Sequence, residues 1–297
     1  MSSKISSDEL ITRSGSNKNY QASIPVKHNS TPVFILSLLI VFIMALASAI
    51  SLVNHRTIYP TSELLQSFIA SDVINLSIGM PMLLVSMWLV RNGKLAGLLC
   101  WPGVLFYVLY TYIPYLLTVP FNLLFVPYLA LVTLSIYALI SLVMHIDGEI
   151  LRQRLAGRVP MKIGAGVLIA LVLIVIARQA ARIIAVQAGQ VAVDFTDIPI
   201  WIDDFMVAVP LMLIAGTQLW CDKPFGYILG PGLLLGYGLL ALSLIPFFIL
   251  QARNNSLPLD MAGMVTVLVM AILCFIPLAL FLVGAARSWK SPHLVNN

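Results

Sequence analysis

The chain has 297 residues, 60% of them hydrophobic and only 10% charged, with a formal net charge of +5 and a mean hydropathy of +0.98. A soluble domain carries about a quarter charged residues, because its surface must be wetted. Soluble, disordered, collagen-like and disulfide-scaffold classes are therefore excluded, and the basic excess needs no nucleic-acid partner once membrane topology is considered.

Residues 1–31 contain eight serines and no apolar run, which predicts a disordered cytoplasmic tail. A hydrocarbon core about 30 Å thick needs about 20 apolar residues in a helix. Eight runs meet that need: 32–53, 72–90, 95–118, 121–144, 163–184, 204–220, 225–250 and 261–286. Backbone groups in lipid must pair within the segment, so runs of this length are helices, and the period-2 alternation of a barrel is absent. The fold class is an all-α polytopic membrane protein with about eight transmembrane helices. Ala45, Ala47 and Ala49 follow an apolar run and resemble a signal-peptidase site. Cleavage there would leave seven spans.

Orientation follows from lysine and arginine. With eight spans, 13 of the 17 basic residues fall in the N-tail, the loops near 91–94, 145–162 and 221–224, and the C-tail. The other four are Arg56, Arg178, Arg182 and Arg253. This bias predicts both termini in the cytoplasm. Trp88, Trp101, Trp220 and Trp289 then form an aromatic belt at the cytoplasmic interface. Glu63, Asp72, Asp194, Asp197, Asp203, Asp204 and Asp260 lie on the opposite side, where Asp72, Asp203, Asp204 and Asp260 are expected to cap inward-running helices. Cys100, Cys221 and Cys274 have no paired spacing and read as packing residues.

Laid over itself with an offset of 129, the chain matches Pro81 with Pro210, Gly97 with Gly226, and Pro102-Gly103 with Pro231-Gly232. Asn75 meets Asp204. Duplication predicts two tandem four-helix repeats, 32–144 and 161–286, flanking a cytoplasmic linker at 145–160 and followed by a tail at 287–297. Four spans per repeat makes the repeats parallel, related by a pseudo-twofold axis along the membrane normal. The linker is basic and amphipathic, so it reads either as a surface helix or as a charged tether.

Span seven contains Gly226, Gly230, Gly232 and Gly236, whose spacing favours close helix packing. A homo-oligomer or membrane partner docked on that helix is one expectation beyond the lipid bilayer itself. Arg178 and Arg182 are four apart and share a helix face, and Arg178 lies about 24 Å from Lys162 along the axis. A charge at that depth needs a partner, a snorkelling path or a function. With Asp203, Asp204, Asp72 and Asn75, the two arginines form a candidate outward-facing site for an anionic or zwitterionic ligand. The alternative is interfacial snorkelling with structural ion pairs. No carboxylate is expected near a midplane, which disfavours proton coupling. Tyr107, Tyr110, Tyr112 and Tyr115 spread around span three and read as interface and packing residues.

No metal-binding, phosphate-cradling or nucleophile-elbow motif occurs, so no catalytic residue, metal or cofactor is assigned. The stretch DVINLSIGMPMLLVSMWLVRNGKLAGLLCWPGVLFYVLYTYIPY, Asp72 to Tyr115, resembles a pattern in uncharacterised multi-pass membrane proteins of prokaryotes. That resemblance implies a bacterial or archaeal membrane and carries no activity. Three functions remain open: a small-solute transporter or channel-like protein, a structural, assembly or sensory subunit, and an intramembrane enzyme on a lipid substrate.

Overall fold

A computed structural model of the chain describes residues 25–26, 31–194, 196–255 and 260–290. The helices are α1 (Thr31–Val53), α2 (His55–Ile58), α3 (Ser62–Ile74), α4 (Met80–Arg91), α5 (Leu95–Thr118), α6 (Phe125–His145), α7 (Gly148–Leu155), α8 (Met161–Gln187), α9 (Asp197–Asp203), α10 (Val209–Trp220), α11 (Pro224–Asn255) and α12 (Met261–Lys290). Two π-helical segments, π1 (Asn75–Gly79) and π2 (Asp204–Ala208), join α3 to α4 and α9 to α10. The protein is an all-α multi-pass membrane protein: among the described residues, eight continuous helical spans are long and apolar enough to cross a bilayer. The tail expected over 1–31 lies almost wholly outside the described residues, as do the end of the C-tail and the side chain of Trp289.

The second and sixth spans begin earlier than their apolar runs. They cover Ser62–Arg91 and Asp197–Trp220, so Asp72, Asp203 and Asp204 sit inside helices and do not cap them. Hydropathy stops at the polar stretch Ser62–Ser71 because it scores composition alone. Burial of Gln66, Phe68, Ala70 and Asp72 against the rest of the protein is what carries that stretch into the fold. Asp260 does cap, accepting from the Gly263 amide at 2.9 Å.

Both π segments arise where a proline follows. Pro81 and Pro210 lack an N–H and would crowd the preceding turn of a regular α-helix. The backbone widens there: the Met80 amide bonds to the Asn75 carbonyl and the Val209 amide to the Asp204 carbonyl, five residues back. Positions 129 apart share further detail. The turns after α4 and α10 each place one residue in the left-handed region, Gly93 at φ 76° and Asp222 at φ 55°. In both turns the following lysine amide, Lys94 or Lys223, returns to the carbonyl of Leu89 or Gln218 at 2.8 Å.

Helix α5 is the centre of the molecule, with 78% of its most apolar stretch buried against 28–44% for the other spans. Its main neighbours are α11, α6 and α4. Where α5 crosses α11, Gly103 meets Gly232. A Cβ on Gly103 would press on the Gly232 carbonyl oxygen and lie 2.6 Å from its carbon. Gly226 abuts the backbone of Gln218 and Leu219, Gly230 the Leu219 side chain, and Gly236 the Gly103 carbonyl and Phe106. All four glycines are buried within the chain. The expectation that this helix offers a glycine seam to a second molecule is thereby corrected, since small residues here let two helices of one chain touch.

At the end bearing Arg91 and Trp220, the linker forms α7, capped by Asp147 through the amides of Glu149 and Ile150. Leu151 and Leu155 are fully buried as α7 packs on α11 and α12, so its apolar face is spent on the protein. Arg152 pairs with Glu149 at 3.0 Å and Asp222 at 2.8 Å, and its guanidinium holds the Glu149 carboxyl below the ordinary range. Trp88 and Trp220 are exposed. Trp101, expected in that belt, is instead buried, donating to the Ser37 hydroxyl at 3.0 Å and packing on Phe34.

Candidate functional site

The residues singled out from the sequence fall into two clusters on different sides of α5. In the first, π1 aims Asn75 inward, and Asp72 lies one turn earlier on α3. Both are buried. The Asp72 carboxyl accepts the hydroxyls of Tyr59 at 2.7 Å and Tyr115 at 3.2 Å. Asn75 accepts from the Tyr107 hydroxyl at 2.8 Å and donates its amide to Tyr112 at 3.2 Å. Ser48 of α1 reaches the Tyr112 hydroxyl at 3.2 Å, and Ser51 that of Tyr128 at 3.3 Å. Asp72 has no ion-pair partner among the described residues. Tyr59 lies outside the spans; burial, and then the neighbouring Asp72, push its hydroxyl far above the ordinary tyrosine range. It stays a donor.

The second cluster is built on π2. Asp203 closes α9 and Asp204 opens π2, and neither side chain reaches the surface. Asp204 accepts the Tyr110 hydroxyl at 2.7 Å, the amide of Gln179 through a short contact, and Arg178 at 3.4 Å. Arg178 is 58% exposed, so it links the buried carboxylate to the periphery of the bundle. Asp203 stands differently: among the described residues neither carboxylate oxygen has a hydrogen-bond partner, and the same holds for the Tyr237 hydroxyl of α11. Asp204 lies 16 positions before Trp220, about 24 Å of helix in a core about 30 Å thick. It is thus within the span and nearer the acidic end.

Arg182 does not join this group. It grips Asp197 with two nitrogens, at 2.9 Å through its terminal amine and 3.2 Å through Nε, and also reaches the Ala192 carbonyl. Asp197 also accepts the Asp194 amide at 2.8 Å. That pair pins the loop between α8 and α9.

The set Arg178, Arg182, Asp203, Asp204, Asp72 and Asn75 is therefore split three ways: Arg178 with Asp204 and Asp203, Arg182 with Asp197, and Asp72 with Asn75 among tyrosines. Sequence reasoning passed over Gln179, Tyr237, Tyr59, Ser48 and the polar role of the α5 tyrosines. One signal was present: a tyrosine hydroxyl buried in an apolar span needs a partner, and α5 carries Tyr107, Tyr110, Tyr112 and Tyr115. A shallow apolar groove lies at the opposite end, lined by Gly166, Ile169, Thr217, Trp220 and Cys221, away from both clusters. No three metal-ligating side chains gather among the described residues.

No family model, no curated protein and no solved structure matches this chain. What the fold and the site define is a class, an integral membrane protein with charged groups buried inside its spans.

Proposed function

We propose that the protein is a small-solute transporter of a prokaryotic inner membrane. Its two four-helix repeats would enter from the cytoplasm, with both termini on that side. The matched π segments, the paired turns at 93 and 222 and the meeting of Gly103 with Gly232 support a parallel duplication about an axis through the α5–α11 crossing. The basic bias of the loops supports the orientation.

The observation that carries the transport reading is the Arg178–Asp204 pair, with Asp204 opening a π segment, beside Asp203, which has no hydrogen-bond partner among the described residues. Charged groups within a span are rarely kept for packing alone. An anionic or zwitterionic solute fits: its carboxylate takes Arg178 from Asp204, and an ammonium group takes the released Asp204 carboxylate. The first cluster is satisfied by hydroxyl and amide bonds, which favours a structural role for Asp72 and Asn75.

The test is thiol accessibility in sealed vesicles of both orientations, with Cys100, Cys221 and Cys274 replaced and single cysteines at 178, 204 and 171. An impermeant thiol reagent should label 178, and 204 from at least one side, with protection by some member of a panel of amino and carboxylic acids. Position 171 is the buried control, since Leu171 is 1% exposed. Labelling at 178 alone, unprotected by every solute, refutes transport through this site.

A further inference from the structure

We propose that Asp203 is a proton-binding site, holding one exchangeable proton on its carboxyl group within the membrane. The starting point is charge balance. Asp203 and Asp204 are consecutive and fully buried, and Arg178 is the single cation paired with them among the described residues. With both carboxyls ionised, the trio carries one net negative charge on carboxyls that are fully buried within a span. Such a charge either finds a partner or is neutralised.

The partners are already committed elsewhere. Tyr110 of α5, Gln179 and Arg178 of α8 all point to Asp204. Beyond Tyr110 and Asp204, Tyr237 of α11 also lies near Asp203, with Cys274 of α12 facing Tyr237. Among the described residues the Tyr237 hydroxyl has no hydrogen-bond partner, and neither has either oxygen of Asp203. One proton resolves the charge: an O–H bond forms on an Asp203 oxygen, the proton comes from bulk water, and the trio becomes neutral. A metal ion would need more ligands than two carboxyl oxygens and a phenol supply. The matching position in the first half is Ile74, with Asn75 in place of Asp204. The carboxyl pair is therefore confined to one half, and this pair binds one proton.

Proton binding stands on burial and missing partners, while its use as a coupling step rests on the transport reading above. Infrared difference spectroscopy on the full-length protein in lipid vesicles separates the two. The wild type near neutral pH should show a carboxylic-acid carbonyl band that shifts in D2O. One component of that band should be lost in Asp203→Asn and kept in Asp72→Asn. An Asp203→Asn protein as thermally stable as the wild type is also expected, because an amide replaces a neutral acid. A wild-type spectrum without a protonated carboxyl refutes the proposal even if the variants fail to fold. A band that loses no intensity in folded Asp203→Asn, or that vanishes from the wild type on adding sodium chloride but not choline chloride, also refutes it. Vesicles loaded with a pH-sensitive dye then test coupling. With that component present in the wild type and lost in Asp203→Asn, solute-independent pH traces would remove transport and leave the proton site standing.

Discussion

Gly103→Ala adds one methyl group where two helices of the chain touch backbone to backbone. The new Cβ would press on the Gly232 carbonyl oxygen and sit 2.6 Å from its carbon and 2.8 Å from its Cα. Carbon atoms rest at about 3.5–4.0 Å, so α5 and α11 must part by about 1 Å. No rotamer change relieves this, because both sides are main chain. Overpacking costs about 1–3 kcal/mol, and a backbone obstacle puts this substitution near 3 kcal/mol. The control is Gly166→Ala, whose Cβ would meet only Trp220 at 3.8 Å, an ordinary contact. There the gain in helix propensity, up to about 1 kcal/mol, stands unopposed. Thermal unfolding of the purified protein in detergent should place Gly103→Ala well below the wild type and Gly166→Ala at or above it. Equal melting of the two variants would refute the reasoning, since it would mean the α5–α11 crossing is not the tight contact described.

Arg178→Ala should destabilise by about 1–2 kcal/mol, between an exposed and a buried pair, and combining it with Asp204→Asn should remove most of that loss. A double-mutant cycle by chemical denaturation checks this, and additive losses would mean the pair is not coupled. Tyr115→Phe removes the donor to the Phe68 carbonyl at 3.0 Å and to Asp72 at 3.2 Å. A loss of about 1–3 kcal/mol is expected in the same assay. Tyr59 supplies a pH prediction: its folded-state proton affinity is raised above the ordinary value of 10.0. Its contribution is thus complete below about pH 10 and lost as pH rises beyond it. Melting temperatures followed from pH 8 to 11 should fall less steeply in Tyr59→Phe than in the wild type, and parallel curves would contradict the assignment.

How much was legible in advance varies from element to element. Six of the eight predicted runs start and end within about four residues of the observed span boundaries, because the bilayer requirement is local and additive along the chain. Span two lost its first ten residues because Ser62–Ser71 is polar by composition, and span six lost seven for the same reason. The proline matches at 81 and 210 were visible as spacing. That each would sit just after a π segment opened by Asn75 or Asp204 was not, since the same spacing is compatible with a simple kink.

What the sequence by itself determined is the class of object: eight apolar helices, a basic end, an acidic end, and glycines and prolines recurring at 129. These follow from the bilayer acting as solvent on each segment separately. The tertiary structure alone decided the fate of the polar groups. Tyr110 reaches Asp204 across 94 positions of chain, Gly103 meets Gly232, and Trp101 turns to Ser37 and away from lipid. Whether an aspartate caps a helix, pairs with an arginine or is left with two unpartnered oxygens depends on which helix lies beside it. That is set by packing between distant segments, which no pattern within one segment encodes.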